Sequence, residues 1–327
     1  MTSNGVFLVS LDFELLWGVH DHETEGTFCR QIAEARRAIP ELLRLFEKYH
    51  IHATWATVGM LFADDHEDMK RYCPEVKPTY PRDELSAYHY LGQVGRDETE
   101  DMFHFAPSLI RKIQEHPGQE IGSHTFSHYY CDECGDPESF REDLKSSRRI
   151  AMEKYGIELT SLVFPRNQFS EECAIIAAEE GFTAIRGHVN SVYEEKSLFS
   201  KLLRLVDTYV NVCGKKCYTA GDCIQNGYVN LKASRFLRKP SKKLFFLEPL
   251  KMSCIKRQMK HAARKGKIFH IWWHPHNLGD NAEAFLSQLE ELLVYYTELN
   301  AKFGFVSKNM SEAQKDVSNE NRHIVQQ

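Results

Sequence analysis

Short apolar segments alternate with stretches of helical period along the first 190 residues, and this alternation most restricts what the chain can fold into. Val6-Phe-Leu-Val-Ser-Leu11 is a continuous apolar run of the kind buried on both faces of a sheet. From Gln31 to Tyr49 the apolar residues Ile32, Ala35, Ile39, Leu42, Leu43 and Phe46 recur at helical spacing. His52 to Val58 returns to a strand pattern. The sequence then predicts a helix over 107–115 with Pro107 in its first turn, a strand at 120–124, a helix over 137–155, a strand at 161–164, a helix over 170–180 and a strand at 182–185. After a break, a strand at 267–273, a helix over 281–300 and a short strand at 303–306 resume the rhythm. Repeated β-α-β order favours a parallel sheet or barrel.

The 327 residues and 42% hydrophobic content suffice for one large α/β unit. We expect a single catalytic domain over 1–310, with insertions at about 64–106 and 190–266 and a frayed polar tail at 311–327. A net charge of −5 argues against nucleic acid as a partner. The N-terminus has no basic segment followed by an apolar one, and no apolar run reaches the roughly 18 residues that span a bilayer. A cytoplasmic location is therefore expected, with the nine cysteines reduced.

Four segments that each close an expected strand carry reactive side chains. His124 and His128 are four residues apart, which on a helical turn would put both on one face toward one metal ion. Two unrelated histidines, one in the core and one at the surface, are the plainer alternative. Asp12 and Glu14 end the first strand and share a side if strand geometry persists, so one could complete a His-His-carboxylate site while the other takes a proton. His274, with His270 and His276 nearby, ends a late strand and could protonate a leaving group. Arg166 follows Phe164-Pro165 and could orient a carboxylate or bind an anionic substrate group. Trp17, Tyr129, Trp272 and Trp273 could stack on a sugar face or fill the core; Trp17, Tyr129 and Trp273 are the candidate substrate contacts.

Together these segments resemble the NodB-homology polysaccharide deacetylases, a carbohydrate esterase family, over about Val6 to Arg186 and again from Lys267 to about Val306. The motifs are Asp12-Phe13-Glu14, His124-Thr125-Phe126-Ser127-His128, Phe164-Pro165-Arg166 and Trp272-Trp273-His274. The resemblance implies a distorted (β/α) barrel of about seven strands with its site at the C-terminal strand ends. It also implies a divalent metal, zinc by preference, and removal of an N-acetyl or N-formyl group from a sugar, as in O-antigen or capsule synthesis. By resemblance Asp12 is the base, Glu14 the third metal ligand beside His124 and His128, and His274 the acid. The reverse assignment of Asp12 and Glu14 stays open, because Phe13 separates two acids that are adjacent aspartates in the family. The family's Arg-x-Pro order is here Pro165-Arg166, and its Asp-Trp motif has no counterpart.

Other readings differ in kind. Similar barrels hydrolyse non-sugar amides such as ureides and cyclic imides. Alternatively His124, His128, Cys131 and Cys134 could form a closed structural zinc site in a binding module. The basic stretch over 235–267, with Leu250, Met252, Ile255, Met259 and Ala263 at helical spacing, could lie on anionic lipid or pack on the barrel. With a cytoplasmic deacetylase it points to a sugar-lipid or nucleotide-sugar substrate. Replacing Cys131 and Cys134 by serine is expected to leave metal content, measured by elemental analysis, unchanged; loss of the metal would favour the structural site.

Overall fold

In the computed structural model, which describes residues 4–22, 26–134, 136–187, 198–212, 214, 216–225, 227–279 and 281–325, strand β1 (Val6–Phe13) is the hinge of the sheet. Along one edge it pairs with β8 (Ile268–Trp273), from Val6 against Ile268 to Leu11 against Trp273. Along the other edge its first half pairs with β9 (Val306–Lys308) and its second half with β2 (Ala53–Thr57). The sheet continues from β2 through β3 (Gln119–Ser123), β4 (Ser161–Val163) and β5 (Ala184–Arg186) to β6 (Val229–Asn230), and from β8 to β7 (Arg235–Phe236). Every ladder is parallel, as the βα rhythm requires. Of the nine strands among the described residues, seven have three or more residues, and β6 and β7 have two each.

Residues 229–237 curl the sheet toward closure. Leu231 N–H donates to the Ile185 carbonyl and Ala233 N–H to that of Gly187, on the β5 edge. Ser234 N–H then donates to His270 O and Leu237 N–H to Trp272 O, on the β8 edge. One segment therefore serves both free edges, which removes the exposed rows of unpaired backbone groups that an open sheet presents.

Side-chain alternation along the strands builds two cores. Phe7, Val9, Leu11 and Phe13 of β1 and Phe269, Ile271 and Trp273 of β8 face outward. They pack with Ile39, Leu42 and Phe46 of α1 (Thr27–Lys48) and Phe285 and Leu289 of α8 (Ala282–Phe303). Leu8, Ala56, Val163, Ala184 and Ile268 belong to the second core, with Met310, Ala313 and Val317 of α9 (Met310–Val325). Helix α9 is thus anchored, not frayed: Met310 N–H donates to Thr54 Oγ1 at 2.8 Å, and Ser311 N–H to Glu120 at 3.1 Å. The expected polar tail at 311–327 is corrected accordingly. A stripe of one apolar residue every three or four is too narrow to stand out in so polar a segment.

The two insertions also carry structure. Residues 64–106 include α2 (His66–Tyr72), and Pro107–Gln114 forms α3. The interval 190–266 holds α6 (Leu198–Val210), β6, β7 and α7 (Glu248–Lys265); its part at 190–197 lies outside the described residues. In α7, Met252, Ile255, Met259 and Ala263 are buried. Those four of the five apolar residues proposed to meet lipid are committed to the barrel, while Leu250 is exposed. No helix among the described residues is long and apolar enough to cross a membrane. Val317→Asp is expected to cost about 3 kcal/mol of stability, because it leaves a carboxylate unpaired in the inner core, and urea denaturation measures it.

Candidate metal centre and active site

The C-terminal ends of β1, β3, β4, β5 and β8 deliver the polar groups to one place. Glu14 follows β1, His124 follows β3 and His274 follows β8, while Asp12 and Arg186 lie within the last turns of β1 and β5. Glu14 Oε2 lies 3.2 Å from His124 Nε2 and 3.1 Å from His128 Nε2, and all three side chains are buried. Donors held about 2.0–2.2 Å from one ion stand roughly 3 Å apart, so this spacing suits a shared cation.

The proton positions point the same way. His124 Nδ1 sits 2.8 Å from the Val163 carbonyl, which can only accept, so Nδ1 carries a proton and Nε2 is the nitrogen turned toward Glu14. Burial pushes the His128 ring down to about 4 despite the Glu14 hydrogen bond, which keeps it neutral near pH 7. Burial works against the Glu14 charge, yet His274 and hydrogen bonds from both histidines hold its carboxyl well below the usual range. A carboxylate facing two imidazole nitrogens fits a divalent metal, and two histidines plus one carboxylate leave coordination positions open.

The histidines meet through a loop, where a helical turn had been expected. Thr125 and His128 both adopt left-handed backbone, with φ of 63° and 56°. Leu15, Arg166 and Asn167 do the same on neighbouring loops. Such conformations cost energy and persist where surrounding contacts enforce them. Here the enforcing group is Asp143 of α4 (Pro137–Tyr155), which sequence reasoning missed. Its buried carboxylate accepts Phe126 N–H at 2.6 Å, Ser127 N–H at 3.1 Å and the Ser127 hydroxyl. Burial raises this carboxyl to about 6 against the pull of those donors.

Asp12 is gripped by a residue the sequence reading also missed. Arg186 Nη1 donates to Asp12 Oδ1 at 2.6 Å and Nη2 to Oδ2 at 2.8 Å, with both side chains buried. Burial opposes the charge on Asp12, but Arg186 outweighs it and lowers the carboxyl. Arg186 Nη1 also donates to Ser10 Oγ at 2.9 Å, and Ser10 Oγ lies 2.8 Å from His270 Nε2. Burial pushes His270 down to about 3, so it is a neutral wall residue whose Nδ1 faces the Leu231 carbonyl. Arg166, also expected at the site, lies farther out. Its guanidinium pairs with Asp21 and lies 4.2 Å from the centre of the Tyr130 ring, at the mouth. Arg186 ends a strand with no motif around it, and only alternation along β5 would have flagged it as inward-facing.

His274 Nε2 stands 3.7 Å from both Asp12 Oδ2 and Glu14 Oε1. Its ring accepts the Asn277 N–H, which leaves the proton on the nitrogen aimed at the carboxylates. His276 stacks on it with ring centres 4.9 Å apart.

The aromatic candidates need correction. Trp17, Tyr129 and Trp273 are buried and cannot stack on a sugar. Trp17 donates to His104 O, Tyr129 lies against Phe140 with its hydroxyl beside Ser139, and Trp273 faces outward against Phe46 and Phe285. Strand alternation turns its neighbour Trp272 inward instead, 4.4 Å from the Arg186 guanidinium and 5.5 Å from the His274 ring. The cysteine zinc site does not assemble either. Among the described residues, Glu14, His124 and His128 are the only cluster with metal-ligand geometry; Cys134 lies beside Ser139, and Cys131 interacts with Cys173.

The polysaccharide deacetylase family model matches residues 31–185. The match includes His124 and His128 but stops short of Asp12, Glu14, Arg186 and His274. No curated protein matches the chain. Among solved structures, a candidate polysaccharide deacetylase from Mycobacterium smegmatis is similar at 14% identity, covering 98% of this chain and 92% of that one, with a TM-score of 0.63. Another candidate from Pseudomonas aeruginosa PAO1 covers 96% of this chain and 89% of its own at 13% identity and a TM-score of 0.53. An allantoinase covers 90% and 84% at 14% identity and a TM-score of 0.53. These likenesses establish the deacetylase barrel fold. Asp143→Ala is expected to destabilise the protein by about 3 kcal/mol, since it orphans buried donors around the histidine loop, and to weaken metal binding about 10- to 100-fold; denaturation and metal titration measure the two effects.

Proposed function

We propose that this chain is a metal-dependent hydrolase that removes an N-acetyl or N-formyl group from an amino sugar. The observation that carries the reading is the convergence of Glu14, His124 and His128 on one point, with Asp12 and His274 beside it. Glu14, His124 and His128 would hold a divalent ion, with zinc suited to this nitrogen and oxygen donor set. Bound there, such an ion supplies Lewis acidity toward the acyl oxygen and makes a bound water easier to deprotonate.

The chain's own residues do the rest. Asp12, kept ionised and oriented by the Arg186 fork, accepts the proton of the attacking water. His274 Nε2–H faces the same space and donates a hydrogen bond to the leaving nitrogen, which receives the proton that Asp12 took from the water. Trp272 and Phe236, both half-buried and both against the His274 ring, are the aromatic surface available to a sugar. Arg166 at the mouth is placed to meet an acidic group of the substrate. Surface-polysaccharide precursors made on the cytoplasmic side suit this reading. The fold likeness to an allantoinase supports an alternative in which the same groups open a non-sugar amide such as a ureide.

His124→Ala is expected to abolish metal uptake and acetate release together. Asp12→Asn, assayed on an N-acetylated chitooligosaccharide, is expected to lower kcat about 10²- to 10⁴-fold while metal content is kept. Full activity of the metal-stripped protein would sink the proposal, and turnover of allantoin alone would move it to the amide alternative.

A further inference from the structure

We propose that a cationic cavity beside His274 binds the phosphate or diphosphate group of the substrate, so that the acylated sugar is presented as a sugar phosphate or diphosphate. The proposal rests on the hydrolase reading for what is cleaved, but not for what is bound.

The cavity has a volume of about 770 Å³. Arg30 of α1 and Arg238, Lys239, Lys242 and Lys243, on the loop between β7 and α7, line it. Its one acidic lining residue among those described, Glu34, already pairs with Arg37 at 2.7 Å. Arg30, Arg238, Lys242 and Lys243 form no ion pair among the described residues. Four uncompensated cations around one cavity, in a chain whose net charge is −5, are a local reversal of the protein's field. Their number exceeds what a single substrate carboxylate would neutralise, and suits an anion with several charged oxygens.

The cavity also adjoins the chemistry. Phe236 and Asn277 form part of its wall. The Phe236 ring lies 5.8 Å from that of His274, and the Asn277 backbone N–H is the group that orients the His274 ring. A ligand anchored by the cations therefore reaches the acid side of the metal centre, where the amine departs.

The test is calorimetric titration of the full chain with inorganic pyrophosphate, at low and high salt. Wild-type protein is expected to bind, and binding should weaken steeply with salt as the exposed cations are screened. The double variant Arg238→Ala/Lys243→Ala should bind about tenfold more weakly, which is the loss of one charge-assisted contact's worth of free energy. Lys265→Ala, a cation at the far end of α7, should bind as wild type. Competition then separates the sources: displacement by a nucleoside diphosphate N-acetylglucosamine assigns the phosphates to a nucleotide sugar, and displacement by geranyl diphosphate to a lipid-linked one. Equal pyrophosphate affinity in wild type and double variant overturns the proposal. So does cation-dependent sedimentation with phosphatidylglycerol vesicles without pyrophosphate binding, which would make the loop a membrane face. Loss of hydrolysis of a neutral chitooligosaccharide with pyrophosphate binding intact would count against the hydrolase reading alone.

Discussion

Arg186 and Asp12 form a buried, two-bonded ion pair that ties the end of β5 to the end of β1 across the barrel interior. Neither charge is tolerable there alone. Removing one partner of a buried pair costs several kcal/mol, because the other remains desolvated and unmatched. The surroundings are built to match. Ser10 Oγ takes a further hydrogen bond from Arg186, His270 stands behind Ser10, and Trp272 lies along the guanidinium. The result fixes the carboxylate of Asp12 in position without a flexible loop, on rigid strands.

The candidate metal centre is built by the opposite means. Its three donors all lie just past strand ends, and the two histidines sit on a loop with left-handed residues at both Thr125 and His128. Backbone strain of that kind has to be held from outside, and Asp143 holds it from helix α4. The site thus divides into a carboxylate held on rigid strands and a braced histidine loop. His274 bridges the two, equidistant from Asp12 and Glu14. Charge is segregated in a similar way: carboxylates and histidines line the centre, and the cations gather in the neighbouring cavity.

Much of this was legible along the chain. The βα rhythm gave the parallel barrel, because apolar period and segment length are local properties. Asp12, Glu14, His124, His128 and His274 could be picked out because each reactive residue closes an apolar run. Arg166 also closes a strand, with left-handed backbone, and its side chain pairs with Asp21 at the mouth. Trp273 and Trp272 are adjacent, and only the direction of the pleat says which one enters the barrel.

By itself the sequence determined the order of strands and helices, the two cores' apolar supply and the identity of the groups able to bind a metal. These follow from composition and period, which act between near neighbours. Tertiary structure alone decided that Arg186 partners Asp12, that Asp143 braces the histidine loop and that residues 229–237 and α9 close the barrel's sides and base. Each of those contacts joins residues far apart in the chain, and its partner is set by strand register and side-chain alternation, which exist only once the sheet has formed.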